Sequence, residues 1–374
     1  MAAPAPLAGL RILEIAGIGP GPFCGMMLAD HGAEVIRVER PHGGLAISDA
    51  AKDPLLRSRR TITLDLKNPA AIGAVRHLAA TCDGLIEGFR PGVMERLGLG
   101  PDVLLSENPR LVYGRMTGWG QTGPLAPEPG HDINYISISG TLHALGEAGR
   151  RPVPPINLAA DFGGGGMFLA FGMLAAILQA QATGTGQVVD CAMTEGSAVL
   201  MSMMWGFRAM GRWGEARGTN LLDGGAHFYD TYQTADGKWL SVGAIEPAFY
   251  AALREVMGLS DGEWDAQFAP AAWPRLKAEL TKRFAGRTRD EWVAAFAGHE
   301  ACVAPVLGFD EALTHPHNVA RRSFVTADGV TQPAPAPRYS VSNTVWPRMA
   351  VPSEGRAILR EAGFDEEDIT ALGL

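Results

Sequence analysis

Three short stretches carry side chains suited to moving protons. Gly130-His131-Asp132-Ile133-Asn134-Tyr135 sets an imidazole beside a carboxylate at the end of a glycine- and proline-rich loop, Gly118 to Gly130. A histidine there can serve as a general base near neutral pH, tuned by its acidic neighbour. The pair reads equally well as a helix-capping Asp beside an incidental His, and spacing alone does not separate the two. Asp161 precedes Phe162 and four glycines, Gly163 to Gly166, ahead of an apolar run. As an N-cap it would satisfy orphan amides. Four glycines exceed what a cap needs, since each loses more backbone entropy than other residues on folding, and the excess points to a ligand approaching the backbone. Glu246, just before Pro247, has the same double reading of cap or catalytic acid.

Gly17-Ile18-Gly19 after an apolar run, with Glu39 twenty residues beyond Gly19, imitates a dinucleotide-binding fingerprint. Its third glycine position is Pro22, and Pro20 and Pro22 remove two amides that should cradle a phosphate. The expected structure is a tight strand-to-helix turn with Pro at the first helical position. Cations gather nearby at Arg37, Arg40, Arg57, Arg59, Arg60, Lys67, Arg90 and Arg96. Arg forks suit phosphates and stack on a purine, so a nucleotide-like anion is the expected ligand, with solvated surface charge as the alternative. Met193, Met201, Met203, Met204 and Met210 crowd one stretch with Trp205 and Phe207. Core or subunit packing is the default for such a cluster, and an adaptable surface for variable acyl chains is the functional reading.

The elements that must position these groups alternate. Leu10 to Ile15, Val35 to Val38, Gly84 to Ile86, Leu111 to Arg115 and Gly186 to Cys191 read as strands, with helices at Phe23 to Ala29 and Ala70 to Ala80 and an apolar one, expected to be buried all round, from Met167 to Ala180. That order predicts a parallel α/β layer. Asp236-Gly237 predicts a hairpin, Glu246-Pro247 a helix with Phe249, Tyr250, Leu253, Val256 and Met257 on one face, and Thr288 with Glu291 a capping box. Gly363 and Asp365 mark a helix end and the next start. The expected organisation is a large domain over 1–191 and 335–374, a linker over 192–226, a small α+β domain over 227–318 and a second linker over 319–334.

The chain has 374 residues, 47 of them Gly, 47% apolar, and a net charge of −8. So much apolar sequence excludes general disorder. The longest apolar run, Met167 to Leu178, falls short of the roughly 20 residues that span a bilayer, so no span is expected. Residues 1–120 are net +1 and the remainder −9, which disfavours nucleic acid and leaves the first third free to hold a compact anion. Cys24, Cys82, Cys191 and Cys302 are isolated, which favours a reducing cytoplasm over a disulfide framework or a zinc site. No secretory or transit leader is recognised.

Together, Gly130-His-Asp-Ile-Asn-Tyr135, Leu158-Ala-Ala-Asp161-Phe-Gly-Gly-Gly, Asn220-Leu-Leu-Asp-Gly-Gly225 and Val242-Gly-Ala-Ile-Glu246-Pro closely resemble the alpha-methylacyl-CoA racemases of the family III CoA-transferase superfamily, over nearly the whole chain. Leu221 stands where close relatives often have Met, a volume-conserving change. The C-terminus lacks a Ser-Lys-Leu-type signal. The resemblance implies an α/β fold with a Rossmann-like large domain and a smaller α+β domain, in an interlocked homodimer whose active sites are shared between subunits. It implies a racemase that inverts the α-carbon of 2-methylacyl-CoA thioesters through an enolate. His131 and Asp161 match the two acid/base positions, and Glu246 and Asp132 supporting acidic ones. Arg40, the stretch Leu64, Asp65, Leu66 and Lys67, and Gly130, His131, Asp132, Ile133, Asn134 and Tyr135 match CoA-binding segments, with Arg96 a further contact. Coenzyme A enters as part of the substrate, with no separate cofactor or metal. The alternative is CoA transfer with Asp161 as covalent nucleophile.

Overall fold

Runs rich in Ile, Leu and Val pair into a six-stranded sheet in the computed structural model, which describes residues 3–41, 49–260, 262–350 and 353–374. The strands are β1 (Arg11–Ile15), β2 (Glu34–Glu39), β3 (Arg60–Thr63), β4 (Gly84–Glu87), β5 (Val112–Thr117) and β6 (Gln187–Ala192). Their order is β3-β2-β1-β4-β5-β6, every neighbouring pair parallel. The order reverses between β1 and β4, and ligands of doubly wound sheets bind beyond the carboxyl ends of the strands at such a reversal.

This sheet belongs to the first of two units, Met1–Ser139, Ile156–Leu200 and Arg322–Leu374. Its helices include α1 (Pro20–Asp30), α2 (Pro69–Ala79), α3 (Asp132–Ile138), α4 (Phe168–Thr183) and α5 (Met193–Leu200). Pro20 opens α1 directly after Gly19, as the turn reading requires. Leu13, Ile36, Ile62, Leu78, Leu85 and Tyr113 share a core with Ile358, Leu359 and Ile369 from the C-terminal helices, so the chain's end closes over its beginning. Gly363 takes φ +91° after the helix Gly355–Glu361, and Asp365 caps the next one, as expected.

Two expectations fail here. α4 is not buried all round: Leu169, Ala170, Met173, Ala176, Ile177 and Ala180 are buried, whereas Phe171 is 76% and Leu178 68% exposed. An all-apolar sequence hides which face meets the sheet. α4 also continues the helical turns before it into one helix of 26 residues, Leu158–Thr183, long and apolar enough by length and composition to cross a membrane. The glycine-rich turns join the apolar run in one helix, which makes it longer than that run.

The second unit comprises Gly140–Pro155 and Met201–Arg321. Residues 192–226 are not an open linker. They begin in α5, continue through α6 (Ser202–Ala209) and divide between the units at Leu200, because the Met and Trp residues fall at helical spacing before the glycines begin. Likewise 319–334 holds an antiparallel hairpin, Phe324–Ala327 with Val330–Pro333. The second unit's own sheet joins β7 (Tyr229–Gln233), β8 (Trp239–Gly243) and β9 (Val303–Val306), all antiparallel. Thr234 N–H donates to the Lys238 carbonyl around Asp236-Gly237, with Gly237 at φ +75°, so the turn is one residue longer than a two-residue hairpin. α7 (Pro247–Met257) buries Tyr250, Leu253 and Met257 against a core of Phe228, Tyr232, Trp264 and Trp273. The unit also holds α8 (Trp273–Phe284) and α9 (Arg289–Phe296), the latter behind the predicted Thr288 and Glu291 capping box.

Candidate active site

The turns that carry Asp161 are wound as a π-helix, Leu158–Met167. Phe162 N–H donates to the Asn157 carbonyl five residues back at 3.2 Å. Such wide turns are rare and concentrate at functional sites. The glycine run makes this one possible. A methyl on Gly164 would meet Ser197 N at 2.5 Å, one on Gly165 the Pro20 ring at 3.1 Å, and one on Gly166 the Phe23 ring at 2.7 Å. Close packing against α5 and α1 therefore accounts for the glycines, not a ligand at the backbone as expected. Asp161 is not the N-cap either. That position is Asn157, left-handed at φ +64°, whose Nδ2 donates to Asp161 Oδ2 at 2.7 Å.

Capping is done by Asp132. It is 3% exposed, and its Oδ2 accepts both Ala160 N–H and Asp161 N–H at 2.9 Å. The carboxylate at the start of α3 thus closes the start of the neighbouring π-helix. His131 stands at the N-cap of α3, where Asn134 Oδ1 accepts its N–H at 3.1 Å, and its residue is exposed. One buried carboxylate ties together the two helix starts that carry the imidazole and the second acid.

Electrostatics then distinguishes the groups. Burial pushes the Asp161 carboxyl above the usual carboxylate range. The Asn157 amide pulls it down, the neighbouring Asp132 charge pushes it up and His131 pulls it down. Gly19 adds a backbone wall: a methyl there would lie 3.1 Å from Asp161 Oδ2, and Gly19 takes φ +65°, a conformation open to glycine. The second glycine of the dinucleotide-like motif thus lies against a carboxylate. Tyr135 donates its hydroxyl to the Gly130 carbonyl and meets Trp119 edge-on at 4.8 Å. Burial and Asp161 push its phenol up to about 12, against the pull of Arg90, so Arg90 lies within electrostatic reach of this cluster.

The basic residues separate into two sets. Arg37 and Arg59 are buried against Glu14, Arg57 against Asp30, and Arg60 pairs with Glu34, Glu354 and Glu361. These four hold the fold together. Arg40, Lys67, Arg90 and Arg96 are exposed and lie beyond the carboxyl ends of β2, β3 and β4, at the rim where the sheet order predicts a ligand. Arg40 lies over the Phe89 ring at 5.2 Å. Within Leu64-Asp65-Leu66-Lys67, Leu64 is fully buried in the core, so its side chain is unavailable to a ligand, while Asp65 Oδ1 accepts Lys67 N–H at 3.0 Å and shapes the turn. Ile133 and Asn134 are exposed on α3.

Glu246 belongs to the second unit. It occupies the N-cap of α7, yet its side chain makes no capping hydrogen bond and the residue is exposed. Its carboxylate is not spent on capping the helix. Burial, with the Glu246 charge beside it, raises the Cys302 thiol. Sequence reasoning missed Asn157 and the wall at Gly19. An Asn one helical turn before Asp161 was the available signal for the first, and nothing local signalled the second.

The pattern of CoA-transferase family III matches residues 7–356. The chain belongs to that family. It is 46% identical to mouse (Mus musculus) alpha-methylacyl-CoA racemase over 98% of this chain and 96% of that one, and 44% identical to the human (Homo sapiens) protein of the same name over the same shares. Among solved structures, a CAIB/BAIF family protein from Brucella suis superposes with a TM-score of 0.83 at 26% identity, covering 96% of this chain and 100% of that one.

Proposed function

We propose that the protein is an alpha-methylacyl-CoA racemase that inverts the α-carbon of 2-methylacyl-CoA thioesters by proton removal on one face and return on the other. The observation that carries this reading is the pairing of His131 with a desolvated Asp161. Neutral His131 takes the α-proton, electrons move into the thioester carbonyl to give an enolate, and protonated Asp161 delivers a proton to the opposite face. The reverse direction exchanges the roles. A carboxylic acid must stay protonated for half of this cycle, which its burial favours. Asp132 N–H, at the first position of α3, has no partner among the described residues and is the proposed donor to the enolate oxygen. The glycine-run amides lie inside a helix and are discounted. Glu246 is the proposed acidic support of His131.

Arg40, Lys67, Arg90 and Arg96 are proposed to hold the phosphates and adenine of CoA. The reaction needs no metal or redox cofactor. An interlocked homodimer is supported by the exposed Phe171 and Leu178 face of α4, too apolar to remain in water uncovered. A reducing, cytoplasmic setting suits the buried thiols of Cys82 and Cys191, both pushed up to about 12 by burial.

Incubating either epimer of a 2-methylacyl-CoA in deuterated water tests the reading. Epimerisation with deuterium at the α-carbon is expected, and His131→Ala abolishes it while leaving CoA binding nearly intact. CoA exchange to an acceptor acid without α-deuteration would establish the transferase alternative instead.

A further inference from the structure

The second unit holds a buried histidine that the proposed reaction does not use. His227 is fully buried just before β7, ringed by Phe228, Tyr250 and Trp264. Its Nε2 is hydrogen-bonded to the Tyr250 hydroxyl at 2.8 Å, and its Nδ1 has no partner among the described residues. Burying an imidazole with one nitrogen unpaired costs free energy, so the arrangement needs a return. Tyr250 lies one turn into α7, and its N–H donates to the Glu246 carbonyl at 2.9 Å. The histidine therefore grips the first turn of the helix whose cap is Glu246.

A second buried group holds the chain on the other side of Glu246. Gln267, 7% exposed, donates from Nε2 to the Ala244 carbonyl at 3.1 Å and the Ile245 carbonyl at 2.8 Å, the two residues before Glu246. The Gln267 backbone carbonyl accepts the Trp273 indole N–H at 2.8 Å, which fixes that residue to α8. Ala244 N–H donates to the Phe228 carbonyl, next to His227. The strand-to-helix corner is thus clamped before and after Glu246, while the Glu246 side chain itself is spent on no cap.

We infer that Gln267 and the His227–Tyr250 pair are positioning residues for Glu246, holding the corner so that its uncommitted carboxylate projects in one fixed direction. The inference rests on the proposed role of Glu246. Orientation rather than charge is what such residues supply, and small misplacements of a catalytic group carry large rate costs.

A double-mutant cycle on the full-length protein tests it, with epimerisation measured alongside thermal denaturation. Tyr250→Phe removes only the hydroxyl that His227 holds, and Gln267→Leu removes the two donors at similar volume. Each is expected to lower kcat about tenfold with KM nearly unchanged, the scale of a lost buried hydrogen bond. In a Glu246→Gln background the same substitutions should cost less than about twofold, because there is no longer a carboxylate to misplace. An equal loss in both backgrounds would overturn the inference and leave a purely structural role. Should Gln267→Leu fail to fold, Tyr250→Phe decides the matter alone. A Glu246→Gln enzyme as active as the unaltered one would instead overturn the assigned role of Glu246, a separate outcome.

Discussion

Asp132 does two jobs that substitution can separate. Its Oδ2 closes the π-helix by accepting Ala160 N–H and Asp161 N–H, and its negative charge raises the neighbouring Asp161 carboxyl. Asp132→Ala removes both. The Ala160 amide is buried, so leaving it unpaired costs about 1–3 kcal/mol; the Asp161 amide is partly buried and regains some water, adding about 1 kcal/mol. A loss of about 2–4 kcal/mol in chemical denaturation is expected. Asp132→Asn keeps an oxygen that can accept both amides and loses only the charge. Its stability should stay within about 1 kcal/mol of the unaltered protein. With the like charge gone, Asp161 ionises more readily, so the limb of the kcat/KM against pH profile that Asp161 controls moves to lower pH. An Asp132→Ala protein as stable as its parent would refute the capping argument. An Asp132→Asn profile that stays in place or moves to higher pH would refute the electrostatic one.

Burial, helped by Lys277, pulls His227 down to about 4. The unfolded chain takes up its proton near the ordinary value of about 6.5. Stability is therefore full above that value and falls as the pH drops toward 4, by about 3 kcal/mol over the window. Denaturation midpoints measured from pH 7 to 4.5 should show this fall, and His227→Gln should flatten it; an equal fall in both proteins would exclude His227 as its source. The two sets of arginines should also part. Arg40→Gln is expected to raise KM for acyl-CoA about tenfold at low salt with little change in stability. Arg57→Met should leave KM alone and cost about 3–5 kcal/mol, because Asp30, 1% exposed, loses the partner of its buried ion pair. The opposite pattern in calorimetry and kinetics would reverse the assignment.

Much of the molecule was written locally. Alternating runs of Ile, Val and Leu dictated a parallel α/β layer, Pro20 after Gly19 dictated the first turn, and Thr288 with Glu291 dictated a helix start, because each depends on neighbours in sequence. His131, Asp161 and Glu246 were legible as candidate proton-transfer groups from their settings beside helix starts. Their capping roles were not. Whether a carboxylate caps its own helix depends on which helix start folding brings to it, and that is how Asp132 came to close the turn of Asp161. The four glycines read as room for a ligand, but α5 and α1 occupy that room. Nor did the excess of cations reveal which of them fold the protein. Buried carboxylates at Glu14 and Asp30, distant in sequence, claim Arg37, Arg57 and Arg59, and leave Arg40, Lys67, Arg90 and Arg96 at the sheet's rim. The sequence by itself determined which chemical groups the protein has and which elements carry them. Only the tertiary structure decided which groups are spent on one another, because ion pairing and burial are properties of contacts between distant segments.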